Sequence, residues 1–208
     1  MEINPHKLIN NFITNDEVNL ITNWVSSINH IQESDNHHIT KLGKALNGNL
    51  HMFDISKTNL TKYVSNFQSG NNVVEDVLPE LIYNLISRIS DAFKLPNDNI
   101  FLQVIDMDCG GTVEPHYDTA IDGYINYKCN ISILAEDYNF IVDGDVIPVT
   151  AKDMYGFEAS LYKHWTEKPF TSKRILLSFG FLVPYSVLGR DDNDPRVRLS
   201  KRLEKYFQ

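Results

Sequence analysis

The sequence has few cysteines, and it lacks both a long apolar run and an excess of positive charge. Only two of its 208 residues are cysteines, which is too few for a disulfide framework and favours a reducing compartment. No apolar stretch reaches the roughly 18 residues that a transmembrane helix needs. The N-terminal residues show no basic segment followed by an apolar run, so no signal peptide is expected. These features predict a cytoplasmic protein without a membrane partner.

Acidic residues outnumber basic ones, with 27 Asp and Glu against 19 Lys and Arg and a formal net charge of -8. Proteins that coat nucleic acid usually need clustered Lys and Arg to displace counterions, so a nucleic-acid partner is not expected. The hydrophobic content of 42% suffices for an ordinary core. We predict a single domain over 1–208, divided into a helical layer and flap (1–99), a β core (100–184) and a C-terminal extension (185–208).

Helical periodicity dominates the first half of the chain. Apolar residues recur at helical spacing after Asn15 and Asp16, which we interpret as a helix cap. Pro79 is expected to kink or break a later helix. The polar segment 30–59 is typical of a long loop or mobile flap with short structured pieces. We predict helices over 15–30, 60–67 and 72–93.

Short β-type runs separated by turn residues follow from Ile100 onward. The Asp143-Gly144 pair predicts a tight hairpin turn, because both residues tolerate positive φ angles. So many short strands indicate a β-sandwich or barrel with the helices packed on one face. The basic tail over 195–207 is predicted to form a short helix. The predicted strands are 100–107, 113–118, 127–134, 139–142, 146–149, 153–157 and 174–183.

The strand-rich half contains only two histidines, His116 and His164. His116 forms an H-x-D pair with Asp118, and residues two apart on a strand face the same side, so both side chains could bind one ion. His164 lies several predicted strands later, where a rolled sheet could bring a third ligand alongside. Two imidazoles and one carboxylate on one face of a metal are typical of non-haem iron(II) oxygenases.

Other side chains compete for the metal-ligand roles. Glu114 has the same parity as His116, and Asp122 stands beside Gly123 in what looks like a turn. The neighbouring histidines His37 and His38 suggest a second metal site, although exposed histidines of a polar loop are the commoner explanation. An ordinary surface pair also explains an isolated H-x-D.

Arg174 opens the last apolar strand, ten residues after His164. An arginine in an otherwise apolar strand must find an anion, and a dicarboxylate cosubstrate suits its planar fork, although an ordinary salt bridge is the simpler alternative. Ser178 falls on the same face of the strand and could donate a further hydrogen bond.

The H-x-D pair, the histidine 46 residues later and the arginine ten residues after that together resemble the iron(II)- and 2-oxoglutarate-dependent dioxygenase superfamily. Within it, the prolyl-hydroxylase-like branch is the most similar. The resemblance covers about residues 101–184. The segments that carry it are residues 102–118, 127–134 and 164–181.

This resemblance implies a mainly β fold, with a double-stranded β-helix (jelly-roll) core packed on N-terminal helices. It also implies that His116, Asp118 and His164 hold Fe(II), and that Arg174 binds the distal carboxylate of 2-oxoglutarate. O2 would be the oxidant, and ascorbate is a candidate stimulant. The implied reaction hydroxylates an unactivated C–H bond while 2-oxoglutarate is decarboxylated to succinate and CO2.

The expected substrate is a prolyl or other amino-acid residue, a free amino acid or another small metabolite. Collagen-type members of the branch usually have lysine where this chain has Arg174, whereas the oxygen-sensing members have arginine. The sensors also hold 2-oxoglutarate with a tyrosine on the strand after H-x-D, and Asn130 is our candidate there. The branch that dealkylates DNA and RNA has a second arginine six positions after the first, where this chain has Gly180.

Two alternatives remain open from the sequence. A cupin-like jelly roll could use the histidines for another metal, or the chain could be a binding module that kept the fold. Cupins generally draw three histidines and a glutamate from two motifs, and the H-x-D spacing and Arg174 argue against that arrangement. Nucleobase oxidation is retained because the core motif of the superfamily predicts substrate class poorly.

Overall fold

The computed structural model describes residues 6–29, 48–57, 78–119 and 121–207. These ranges contain the helices α1 (Asn15–Asn29), α2 (Glu80–Phe93) and α3 (Pro195–Phe207), with a short 3-10 helix over Tyr185–Leu188. The strands are β1 (His6–Ile9), β2 (Gly48–Asp54), β3 (Ile100–Met107), β4 (Tyr124–Leu134), β5 (Tyr138–Val142), β6 (Asp145–Val149), β7 (Met154–Glu158), β8 (His164–Thr166) and β9 (Arg174–Pro184).

The strands form two antiparallel sheets. The larger sheet has six strands in the order β1-β7-β4-β9-β3-β2, and the smaller has three in the order β6-β5-β8. A backbone bridge between His116 and His164 attaches the H-x-D segment to the free edge of β8. The predicted mainly β, two-sheet architecture is therefore confirmed.

The two faces of the larger sheet have different chemistry. On its outer face, side chains such as Ile131 and Phe179 join a buried apolar cluster with α1 and α2. Successive side chains along each strand point alternately to the outer and the inner face. The inner face is unusually polar for a buried surface. The buried polar side chains of β4 on the inner face are Asn126, Lys128, Asn130 and Ser132.

The helices begin where their local chemistry allows. Thr14 is the cap of α1, because its Oγ1 accepts from the Glu17 amide at 3.2 Å and the Glu17 carboxylate accepts from the Thr14 amide at 2.8 Å. The cap thus lies one residue before the predicted Asn15 and Asp16. Pro79 precedes the first residue of α2 with a ψ of 145°, so it breaks the helix as predicted.

Strand predictions succeed where apolar residues are dense and fail elsewhere. The range predicted for β3 matches the structure, and β4, β5, β6, β7 and β9 differ from their predicted ranges by no more than three residues at either end. The predicted strand 113–118 is wrong, because that segment makes only the isolated bridge at His116. Val113 faces Thr166 and His116 faces His164, so the segment advances three residues while β8 advances two, and the extra residue disrupts the pairing. Pro115 also has no amide hydrogen to donate to a neighbouring strand.

Several other predictions can be compared with the described ranges. The predicted hairpin is present, with φ values of 53° at Asp143 and 96° at Gly144. The strand β2 lies within the predicted loop or flap and supplies one of its structured pieces. The predicted helix 60–67, residues 72–77 and the His37-His38 pair lie outside the described residues. No helix in the described ranges has the length and hydrophobicity required to cross a membrane.

Candidate metal and cosubstrate site

Three predicted ligands converge at the edge of the smaller sheet. His116 and Asp118 come from the segment that leads into β4, and His164 is the first residue of β8. The Oδ1 atom of Asp118 lies 3.4 Å from Nε2 of His116 and 3.7 Å from Nε2 of His164. All three ligand atoms lie within 4.8 Å of one another, a cluster that could hold one metal ion.

Backbone carbonyls orient both imidazoles. The Nδ1 atom of His116 lies 2.7 Å from the Glu114 carbonyl oxygen, and Nδ1 of His164 lies 3.0 Å from the Tyr162 carbonyl oxygen. These carbonyls accept a hydrogen bond from a protonated Nδ1, which leaves Nε2 of each ring available to bind a metal. Reciprocal backbone hydrogen bonds between His116 and His164, at 3.0 and 3.2 Å, hold the two residues together.

The ligands influence each other's protonation. Burial acts to raise the pKa of Asp118, but the Lys128 ammonium and the two imidazoles hold that pKa well below its usual range. Burial, reinforced by His116, lowers the pKa of His164 to about 4. Burial opposes protonation of His116 as well, but its hydrogen bond to Asp118 prevails and raises the pKa. A carboxylate and a neutral His164 are therefore the forms at neutral pH, and both bind metals.

The second oxygen of Asp118 faces the inner surface of the larger sheet. Asn126 Nδ2 donates to Oδ2 at 3.4 Å, and the Lys128 ammonium lies 3.5 Å from the same atom. The Lys128 side chain is buried, and this burial lowers its pKa although Asp118 opposes the effect. The backbone amide of Asp118 donates to the Ala159 carbonyl at 3.0 Å.

Arg174 lies at the start of β9, deep between the sheets and 1% exposed. Its Nη2 donates to the phenol oxygens of Tyr138 at 2.9 Å and Tyr155 at 3.3 Å. The guanidinium carbon lies 4.7 Å from the ring centroids of both Tyr138 and Phe170. Its Nε and Nη1 atoms meet no acceptor in the described part of the chain. A buried cation with two free donors fits a carboxylate ligand.

The other two predicted cosubstrate residues occupy the middle of the same inner face. Asn130 on β4 is paired in register with Ser178 on β9 and with Tyr155 on β7. Ser178 Oγ lies 3.3 Å from Nζ of Lys128, whereas Oδ1 of Asn130 is buried without a hydrogen-bond partner among the described residues. The structure thus brings Asn130 and Ser178 onto one face with Arg174, and their contact with a cosubstrate remains a prediction.

The competing carboxylates take other roles. Glu114 supplies its backbone carbonyl to His116, and its side chain is outside the metal-ligand cluster. Asp122 is 82% exposed and pairs with Lys201 at 2.7 Å. These positions leave Asp118 as the carboxylate of the cluster.

Four residues of the site were not identified from the sequence: Gln103, Lys128, Tyr138 and Tyr155. The register of β3, β4, β7 and β9 brings Gln103, Lys128 and Tyr155 to one face of the larger sheet. Tyr138 reaches them from β5 of the smaller sheet, so residues far apart in the chain meet here. One signal for Lys128 was available. Polar residues alternate with apolar ones along β4, and this alternation marks a buried polar face.

Comparisons with solved structures place this geometry in a known fold. An oxidoreductase of the 2OG-Fe(II) oxygenase family from Burkholderia pseudomallei is 13% identical with a TM-score of 0.58, covering 86% of this chain and 84% of that one. A prolyl hydroxylase from Trichoplax adhaerens, in complex with a hypoxia inducible factor peptide fragment, is 10% identical with a TM-score of 0.57, covering 90% and 88%. The viral collagen prolyl hydroxylase of Paramecium Bursaria Chlorella virus-1, as a 2OG complex, is 11% identical with a TM-score of 0.53, covering 86% and 97%.

A scan of protein-family models and a search of curated protein sequences give no match. The structural likenesses confirm the double-stranded β-helix core that was predicted from the sequence. At 10–13% identity these are likenesses of fold, to one protein of the 2OG-Fe(II) oxygenase family and to two prolyl hydroxylases.

Proposed function

We propose that this protein is an Fe(II)- and 2-oxoglutarate-dependent dioxygenase that hydroxylates a C–H bond. The observation that carries the proposal is the convergence of His116, Asp118 and His164 within 4.8 Å, on the fold that 2-oxoglutarate oxygenases share. Two imidazole nitrogens and one carboxylate oxygen are a donor set that suits Fe(II). The fixed Nδ1 hydrogen bonds keep both rings oriented for that role.

Arg174 would bind the distal carboxylate of 2-oxoglutarate with its free Nε and Nη1 donors. The phenols of Tyr138 and Tyr155 hold the guanidinium in place. Asn130 and Ser178, paired in register on the same face, would contact the cosubstrate between Arg174 and the candidate metal ligands. When bound, Fe(II) and 2-oxoglutarate would supply the chemistry by which O2 hydroxylates the substrate, with release of succinate and CO2.

Aromatic side chains of the smaller sheet and β7 shield the site from water. The Phe157 ring centroid lies 4.7 Å from that of His164, and Phe140 lies 5.2 Å from Phe157. The side chains of His116 and Asp118 keep 21% and 18% exposure and that of His164 keeps 5%, so the cluster reaches solvent on the side of the H-x-D segment. A substrate would approach from that side, with the cosubstrate held in the buried polar interior.

The substrate that we propose is a prolyl or other amino-acid residue, a free amino acid or a small metabolite. A structural neighbour in complex with a peptide fragment supports a peptidyl or small-molecule substrate by analogy of fold. Gly180 argues against the nucleobase-oxidising alternative. This position lacks the second arginine of the nucleic-acid branch, and a Cβ atom here would require the Phe101 ring to move.

Release of succinate from 2-oxoglutarate tests the proposal. The wild-type protein with Fe(II) and O2 should form succinate, and amino acids or proline-containing peptides that act as substrates should stimulate it. Asp118→Ala should abolish succinate formation because it removes the carboxylate ligand. Asp98→Ala, at an exposed aspartate paired with Lys57, is the matched control and should match the wild type. Succinate formation by folded Asp118→Ala protein at the wild-type rate would contradict the proposal.

A further inference from the structure

Lys128 is the one lysine in the described ranges whose ammonium lies within 4.0 Å of a metal-cluster carboxylate. It lies on the inner face of β4 and is 7% exposed. Buried lysines are rare unless they are paired, because the desolvation of an ammonium group is costly. The burial of this ammonium group therefore requires a specific explanation.

The Lys128 ammonium carries three donors and has three oxygen atoms around it. Its Nζ donates to Oε1 of Gln103, lies 3.3 Å from Oγ of Ser178 and lies 3.5 Å from Oδ2 of Asp118. The Phe101 ring, with its centroid 5.0 Å from Nζ, covers a further side. Among these three neighbours only Asp118 is charged, so the Asp118 carboxylate is the partner that balances the ammonium.

The two carboxylate oxygens of Asp118 have different surroundings. Oδ1 faces Nε2 of both histidines, whereas Oδ2 faces the Lys128 ammonium and the Asn126 amide. We infer that Lys128 is a positioning residue that keeps Oδ2 turned away from the metal, so that Asp118 offers Oδ1 alone. This inference rests on the proposed metal site.

The consequence concerns the cosubstrate. A carboxylate that binds through both oxygens takes up one more position on the metal, and that position would no longer be open to 2-oxoglutarate. Lys128 also adds a positive charge beside the ligands, which favours a dianionic cosubstrate. Its removal should therefore weaken 2-oxoglutarate binding without weakening metal binding, because Oδ2 then becomes a further ligand and a repelling cation is lost.

Cobalt(II) provides a readout that does not depend on turnover. We would titrate Co(II) into the wild-type protein and into Lys128→Met, which keeps the length of the side chain but removes its donors. In Lys128→Met the visible Co(II) absorption should differ from that of the wild type, because Oδ2 takes up a position on the metal, with Co(II) affinity at least that of the wild type. Binding of 2-oxoglutarate to the Co(II) protein should weaken about tenfold, which corresponds to about 1.4 kcal/mol.

The control variant is Lys57→Met, which removes a surface lysine that pairs with Asp98 at 3.2 Å and should match the wild type. Identical Co(II) spectra and 2-oxoglutarate affinities for Lys128→Met and the wild type would overturn the inference while leaving the metal site intact. Failure of the wild type to bind Co(II) would instead overturn the proposed function.

A crystal structure of the Zn(II)-loaded wild type tests the same point without relying on the folding of a variant. It should show Asp118 bound to the metal through Oδ1, with Oδ2 still beside Nζ of Lys128. Asp118 bound through both oxygens would overturn the inference.

Discussion

A guanidinium group that is buried inside a protein ordinarily pairs with a carboxylate, but the Arg174 guanidinium hydrogen-bonds to two phenols. Nη2 donates to Tyr138 and Tyr155, and the group packs against the rings of Tyr138 and Phe170. Burial raises the pKa of the Tyr155 phenol, so this partner stays neutral and cannot balance the charge. The cation is held in place without a counter-ion among the described residues, as a site for an anionic ligand requires.

Replacement of Arg174 by methionine should separate ligand binding from stability. Binding of 2-oxoglutarate should weaken by about 2–3 kcal/mol, because the charged hydrogen bonds to the ligand are lost. The free energy of unfolding of the ligand-free protein should stay the same or rise, since an apolar side chain replaces two unpaired buried donors. Isothermal titration calorimetry and urea unfolding measure the two quantities.

Arg198→Met is the matched control, because Arg198 is exposed and donates only to residues near it in sequence. It should leave both quantities within about 0.5 kcal/mol of the wild type. Wild-type affinity of Arg174→Met for 2-oxoglutarate would refute the assignment of Arg174.

Among the elements, α2 illustrates how the helical layer supports the site. Its side chains Ile82, Leu85 and Ile89 are fully buried against the outer face of the larger sheet, whose inner face carries the polar site residues. The helix contributes none of the candidate ligands, but it covers part of the outer face of the sheet whose inner face carries Lys128, Asn130 and Ser178.

Ile89→Ala should lower the free energy of unfolding by about 2–5 kcal/mol, because it leaves a cavity in the packed layer between α2 and the sheet. Tyr83→Ala, on the exposed side of the same helix at 50% exposure, should cost far less. Urea denaturation followed by circular dichroism compares the two variants. Equal losses would mean that α2 does not pack as described.

Ion pairs of Arg190 join β7 to the segment before α3. Arg190 lies 2.9 Å from the Glu158 carboxylate and 2.8 Å from that of Asp194, and its Nη2 donates to the phenol oxygen of Tyr162 at 2.9 Å. Tyr162 in turn holds His164 through its carbonyl oxygen. This network attaches the C-terminal extension to Tyr162, in the segment that leads into β8 and its candidate ligand His164.

The network also predicts a pH dependence. Burial raises the pKa of Glu158 above its usual value of 4.5, although Arg190 opposes this effect. Above pH 4.5 the unfolded chain has released the proton that folded Glu158 retains, so the stability of the wild type relative to Glu158→Gln should fall as the pH rises towards the folded pKa. Urea unfolding of both proteins across this range measures the difference.

Glu136→Gln provides a control of opposite sign. Hydrogen bonds from Thr171 lower the pKa of Glu136, so its contribution should be present above pH 4.5 and be lost as the pH falls. The same slope for both variants would contradict the assignment of Glu158.

For the molecule as a whole, the sequence indicated which candidate ligands converge better than it indicated their surroundings. His116, Asp118, His164 and Arg174 could be found because the H-x-D pair and the later histidine and arginine stand out in strand-rich sequence. The strand expected around His116 is absent because Pro115 and an extra residue interrupt the pairing. The ligands converge all the same, since the backbone bridge to His164 fixes their positions.

Other features depend on contacts that no local pattern encodes. The strand β2 contains the polar sequence Gly48-Asn49, and β8 has only three residues, so neither has a clear strand pattern. Tyr138 and Tyr155 reach Arg174 from strands of different sheets. Their convergence follows from the packing of one sheet on the other, which local periodicity does not determine.

Anaerobic addition of Fe(II) and 2-oxoglutarate to the protein is the most direct test of the central claim, that one site binds both. The wild type should develop a weak metal-to-ligand charge-transfer band in the visible spectrum, and Asp98→Ala should retain it. Asp118→Ala should lose the band because one metal ligand is missing. Absence of the band from folded wild-type protein would contradict the account.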